Sequence, residues 1–278
     1  MQHGRKSCPD AGIDWENAFA NAAYIPDGLT YPKRWSERAA AFRQSAKGRF
    51  DLAYGTHPRE VMDLLLPEGA PKGLVVIIHG GYWLDFDKSS WSDLAEGPLL
   101  SGWAVALPSY TLAPEAGIAE IRQQIGRAIT KAAEQVNGPI RITGHSAGGH
   151  LAACMMCANT PLPEKIAARI ERVVSISGLH DLRPLMLNSM NAKLKLTQES
   201  ARAHSPALLP PMPGPDFIAW VGANERPELL RQSALLAEHW RAAGADTKLV
   251  TDPGKHHFDV IDGLKDPTHP LTRALVGA

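Results

Sequence analysis

The chain has 278 residues, 44% of them hydrophobic, with 29 basic and 29 acidic side chains and no formal net charge. That apolar content supports a substantial core, and the even charge balance argues against nucleic-acid partners, which require a basic stripe to neutralise phosphates. The leading residues lack the apolar stretch of a signal peptide, and no run reaches the ~18 apolar residues of a membrane span, so no membrane partner is expected and the cytoplasm is the expected compartment.

In chain order, the first 48 residues are polar but studded with aromatics (Trp15, Phe19, Tyr24, Tyr31, Trp35, Phe42), a pattern that predicts a segment wrapped over a core. "FDLAYG" and "EVMDLLLP", joined by the turn-like "THPR", read as an antiparallel strand pair at a sheet edge. "GLVVIIHGG", with its strand ending at Ile78, "WAVALPSY", "PIRITGHS", "RVVSISG", "FIAWVG" and "TKLVTD" follow as buried strands. Between them lie helical patterns: Ile118, Ile121, Ile125, Ile129 and Val136 mark one face of a helix from about Glu115 to Val136. Leu229, Leu230, Ala234, Ala237 and Trp240 mark another, with Gly244 as its stop. The alternation predicts an α/β fold, a mostly parallel central sheet with helices on both faces, in which residues 1–278 form one domain. Residues Gly178 to Pro215, ending in a proline cluster, are too long for a plain connection and read as an excursion over the carboxyl edge of the sheet.

"GHSAGGH" places Ser146 between Gly144 and Gly148, directly after a strand and before the apolar helix "AGGHLAACMMCA". A sharp strand-to-helix turn strains the turning residue and leaves room only for small neighbours two positions away; in return it holds a hydroxyl out at the strand end, before the helix dipole. Ser146 is therefore the candidate nucleophile. "HGGYW", residues 79–83, ends an earlier strand with two glycines, so the N–H groups of Gly81 and Tyr82, together with that of Ala147, are candidate oxyanion donors.

A serine needs a base and an acid that orients it, and on such a fold these follow in the order serine, acid, histidine. Glu225 lies just past "FIAWVG", with Glu228, Asp252 and Asp181 as competing carboxylates; Asp181 suits a capping role at the base of the excursion. His256 and His257 lie just past "TKLVTD".

With these residues placed, the sequence resembles the α/β-hydrolase superfamily, and within it the kynurenine formamidase (arylformamidase) group, relatives of hormone-sensitive-lipase-like esterases. "HGGYW", "GHSAGGHLAA", "SGLHDLRPL", "VGANERPELLRQS" and "HHFDVI" are similar to that group's signature segments in the same order, and "WENAFANAAYIPD" to its N-terminal segment. In such families the catalytic histidine directly precedes a phenylalanine, which selects His257. The acid stands two residues before "PE", which selects Glu225, a glutamate where aspartate is commoner. Esterase relatives commonly carry a third glycine at Tyr82. The bulkier ring is expected to narrow the acyl side and, with Trp83, to offer a flat surface to an aromatic leaving group. The resemblance implies hydrolysis of N-formylkynurenine to kynurenine and formate, a step of tryptophan catabolism, with a small-molecule substrate and no cofactor; a broad short-chain carboxylesterase is the alternative.

Two other classes fit the sequence less well. His79, His145, His150 and His180 show no closed ligand spacing, so no metal is expected, and Cys154 and Cys157 on the helix after Ser146 read as buried packing. With Cys8 they make an odd number, as expected of a reduced chain. A non-catalytic binding protein on this scaffold would not need intact serine, acid and histidine positions. The oligomeric state, a homodimer included, is left open by the sequence.

Overall fold

Eight runs of apolar and β-branched residues form one sheet: β1 (Gly48–Ala53), β2 (Val61–Leu65), β3 (Leu74–Ile78), β4 (Ala104–Pro108), β5 (Ile140–His145), β6 (Ile170–Ile176), β7 (Asp216–Gly222) and β8 (Thr247–Asp252). Their order is β1-β2-β4-β3-β5-β6-β7-β8. β1 pairs antiparallel with β2, and β2 with β4; every other pairing is parallel. The structure, a computed structural model, describes residues 12–277, so Cys8 lies outside the described residues.

The central strands are apolar on both faces because helices cover both. Leu74, Val76 and Ile78 of β3 enter one core and Val75 and Ile77 the other; Phe217 and Ala219 of β7 separate from Ile218 and Trp220 in the same way. The helices Ile118–Ala133, Ala147–Cys154 and Pro227–Ala242 supply most of the first layer. The helices Tyr31–Arg43 and Pro270–Val276, with the 3-10 segment Lys88–Ala95, supply the second. Each fully buried Leu, Ile or Val in these layers contributes about 1.5–3 kcal/mol relative to exposure.

The first crossover helix starts at Ile118, the first residue of its apolar pattern and later than the expected Glu115, because Gly117 just before it is extended (ψ 165°), and it ends at Ala133, short of Val136. The helix after β7 stops where the pattern stops, and Gly244 follows with φ +89°. Among the described residues no helix is long and apolar enough to cross a membrane.

The N-terminal segment wraps the core as its aromatics predict: Trp15, Phe19, Tyr31 and Trp35 are buried. Tyr24 departs from the pattern. It is 53% exposed, with the Arg226 guanidinium 3.6 Å above its ring. The segment is tied to loops at the carboxyl end of the sheet: Arg226 Nη2 donates to Asn17 O (3.2 Å), and Tyr31 Oη lies 3.2 Å from His256 Nε2. The excursion after β6 is a series of short helices: the 3-10 segments Arg183–Leu187 and Pro206–Leu208 and, between them, the α-helical Asn191–Leu194 and Gln198–Ala203. It meets the N-terminal segment where Asn188 Nδ2 donates to Trp15 O at 3.0 Å.

Candidate active site

At the end of β5 the chain turns through Ser146, whose φ of 55° and ψ of −116° lie outside the ordinary regions for an L-residue, and enters the helix Ala147–Cys154. The flanking glycines are required by contact. A Cβ on Gly144 would sit 2.3 Å from Gly148 O, and one on Gly148 only 2.0 Å from Ile78 O. Ser146 N donates to Ile176 O (2.8 Å) on the next strand, which fixes the elbow to the sheet. Its hydroxyl makes no helix-capping bond. The serine is more recessed than the sequence suggests, 3% exposed rather than held clear of the protein, yet its Oγ is not among the sealed polar atoms without a partner.

The turn after β3 covers it. A Cβ on Gly80 would lie 2.8 Å from His145 O and 3.3 Å from Ser146 Cβ, so only a glycine backbone passes this close. Gly81 (φ +104°), Tyr82 (+51°) and Trp83 (+60°) follow in a tight turn closed by Leu84 N donating to Gly81 O at 2.9 Å. Non-glycine residues held in this region cost roughly 1–3 kcal/mol each, strain that persists only where the surroundings enforce it. Among the described residues no backbone hydrogen bond takes up the N–H of Gly81, Tyr82 or Ala147. His79 stands behind the turn, donating from Nδ1 to Gly80 O (2.8 Å) and stacked on Tyr110 at 4.1 Å. Burial pulls its pKa down to about 4, so it is uncharged at neutral pH.

Tyr82 is pinned by its hydroxyl, which donates to Phe19 O (2.7 Å) and accepts from Asn21 Nδ2 (3.1 Å). Trp83 corrects the sequence expectation. It is fully buried and packs edge-on against His150 with centroids 5.0 Å apart, so it belongs to the core and offers no surface to a leaving group.

Beyond β7, Glu225 is buried and uses both carboxylate oxygens. Oε2 lies 2.6 Å from His257 Nδ1, while Oε1 accepts from Gly222 N (2.8 Å) and from Ser177 Oγ. These two donors on Oε1 hold the longer glutamate side chain in place. With Nδ1 engaged, Nε2 is the His257 nitrogen left to face a nucleophile. The His257 ring lies 4.4 Å from that of His145, the residue before Ser146. Among the described residues no hydrogen bond joins Ser146 Oγ to His257, and such bonds commonly tighten only when substrate is bound.

The rival residues are engaged elsewhere. Glu228 pairs with Arg231 (2.7 Å) and accepts from Gln232 Nε2 (2.7 Å); Asp252 accepts from Trp220 Nε1 (3.0 Å). Asp181 binds Arg183 through its side chain (2.8 Å) and its backbone N–H (3.1 Å), and so caps the turn that follows. His256 faces Tyr31 and Asp259. Sequence reasoning missed Ser177 and His145. Their positions at the carboxyl ends of β6 and β5 were a signal, but their partners come from neighbouring strands.

Cys154 and Cys157 are buried and free; burial raises the Cys154 thiol to about 11 and pushes Cys157 up as well, so neither is a thiolate at neutral pH. Among the described residues no group of three or more His, Cys, Asp or Glu is arranged to hold a metal ion.

Residues 62–209 match the BD-FAE family. The chain is 27% identical to a kynurenine formamidase of Salmo salar over 94% of this chain and 91% of that protein. It is 28% identical to one of Danio rerio over 88% and 85%. A crystal structure from a Silicibacter species, provisionally assigned as a thioesterase, is 48% identical with a TM-score of 0.91, covering 95% of this chain and all of that one. With the sheet order and elbow, these likenesses identify an α/β-hydrolase fold and a serine hydrolase.

Proposed function

The chain belongs to the BD-FAE family, and from that premise we propose that it hydrolyses the formyl amide of an N-formyl arylamine such as N-formylkynurenine, releasing the arylamine and formate. The likeness to kynurenine formamidases along nearly the full length of both chains carries this reading. The Glu225–His257 hydrogen bond beside the Ser146 elbow supports the chemistry.

In this mechanism His257 Nε2 takes the proton of Ser146 Oγ as the oxygen attacks the formyl carbon. Glu225 fixes the imidazole tautomer and stabilises the cation it becomes. The N–H groups of Gly81, Tyr82 and Ala147 receive the developing oxyanion, each contributing about 2.7–4 kcal/mol to the transition state. His257 then protonates the departing nitrogen as the C–N bond breaks, and water hydrolyses the formyl-enzyme by the same route in reverse. Formyl is the smallest acyl group, and a Tyr82 ring tied to Phe19 and Asn21 suits a narrow acyl side. We further place this activity in a single domain over residues 1–278 and in the cytoplasm, a reading supported by the buried free thiols of Cys154 and Cys157.

Short-chain ester or thioester hydrolysis is the second reading, favoured by the 48% identity to the Silicibacter protein. Comparing kcat/KM for N-formylkynurenine, p-nitrophenyl acetate, p-nitrophenyl butyrate and an acetyl thioester separates the two. A lead for the formamide is expected. Preference for butyrate or the thioester would overturn the formamidase reading.

A further inference from the structure

His145 has no part in the chemistry above, yet its ring occupies the most consequential position behind it. It is the last residue of β5, immediately before Ser146, and is buried. Its ring meets His257 at 4.4 Å with the planes inclined 43°, and Trp91 at 5.6 Å inclined 37°. On a third side is the oxyanion turn, where a Cβ on Gly80 would lie 3.3 Å from His145 Nδ1. One side chain thus touches the loop of the base and the loop of the oxyanion donors while its backbone carries the nucleophile.

Both ring nitrogens are sealed from solvent and make no well-aligned hydrogen bond, but the ring reaches the backbone of His257, which acts on it as a weak hydrogen-bond partner. A phenylalanine would fill the same flat slot but could offer nothing polar to the His257 backbone, so packing alone does not explain an imidazole here. Burial first, and the charge on neighbouring His257 second, hold the pKa of His145 well below 6.5, opposed by an interaction with the His257 backbone. His145 therefore stays uncharged beside the His257 ring. An uncharged imidazole beside a new imidazolium presents a lone pair and a dipole that an apolar ring lacks.

We propose that His145 is a positioning residue for the reaction, a rigid neutral floor under His257 that fixes its distance from Ser146 and the oxyanion turn and favours its protonated form during catalysis. The inference rests on the serine-hydrolase reading of Ser146, Glu225 and His257. The other groups around His257 are Glu225 on Nδ1, the Tyr82 hydroxyl near Glu225, and the His256–Asp259 pair on its own loop; a substitution at His145 leaves all of them in place.

The test is the pH profile of kcat/KM for p-nitrophenyl acetate in the wild type and in His145→Phe, with circular dichroism as the folding control. Loss of the neutral imidazole is expected to lower kcat about tenfold with KM little changed, and to move the acid limb down by about half a pH unit or more, because the protonated base has lost support. His145→Gln, polar and uncharged, is expected to recover part of the shift. An acid limb coincident with the wild type, whatever the loss of rate, overturns the proposal, as does failure of both variants to fold, which would assign His145 to the core alone. A wild type that hydrolyses no ester or formamide and whose Ser146 resists an organophosphate would instead overturn the serine-hydrolase reading and this inference with it.

Discussion

Glu225 Oε2 lies 2.6 Å from His257 Nδ1, while the other oxygen of the same carboxylate is anchored to the backbone at Gly222 N, 2.8 Å away. One side chain therefore spans the gap between the end of β7 and the loop after β8. Glu225→Gln keeps the shape but offers an amide group to a nitrogen that must donate. We expect kcat to fall by about 10³–10⁴, as when the acid of a serine triad is neutralised. Glu225→Asp, a methylene short of reaching both partners, should lose less than Gln. An Asp variant as fast as wild type in steady-state kinetics would show that the span is not needed.

Ser177 Oγ donates to the buried carboxylate of Glu225. Ser177→Ala removes a hydrogen bond to a charged acceptor, worth about 1.5–3 kcal/mol. A corresponding loss in urea-unfolding free energy is expected, with a fall in kcat that is small beside that of Glu225→Gln because Gly222 still holds Oε1.

Gly148→Ala should cripple the protein before chemistry is reached. The added methyl would meet Ile78 O at 2.0 Å and could relieve the clash only by parting the nucleophile helix from β3. The expected cost is at the upper end of the ~1–3 kcal/mol typical of overpacking, or beyond it. Soluble yield and the urea midpoint measure it.

Tyr82→Phe deletes the hydroxyl that ties the turn after β3 to Phe19 and Asn21. With the ring released, the ratio of butyrate to acetate hydrolysis should rise severalfold while hydrolysis of N-formylkynurenine falls. An unchanged ratio would remove Tyr82 from the account of acyl size.

Stability should decline in mild acid. Burial holds His79 at about 4 and His180 at about 3, and keeps His145 and His150 well below 6.5. Between those folded values and 6.5 the unfolded chain binds protons that the folded chain does not. Unfolding free energy therefore rises with pH in that window and is lost as pH falls below 6.5, by about 1.4 kcal/mol per pH unit for each such histidine. Urea titrations at pH 8, 6 and 5 should give near-constant stability above 7 and a steep drop by pH 5.

The strand series was legible because strands covered on both faces leave continuous apolar runs, and the elbow because two glycines bracket its serine. Places after successive strands narrowed the acid and base only to a few carboxylates and two histidines; the resemblance to a known group singled out Glu225 and His257, which lie 2.6 Å apart. Trp83 was not legible, since nothing in "HGGYW" announces the positive φ angles that turn its ring into the core. Ser177 and His145 escaped for another reason: each meets its partner across the sheet, 48 residues from Glu225 in the first case. Tyr24 shares the aromatic pattern of its neighbours yet lies outside, against Arg226.

The hydrogen bonds that link Phe19 and Asn21 with Tyr82, and Tyr31 with His256, make the stretch from Trp15 to Trp35 part of the frame around the site. Shortening it, or exchanging it with that of a relative by recombination, would disturb the turn after β3 and the loop after β8 together. A change far from the elbow in sequence can therefore reach both walls of the site with the elbow itself left untouched.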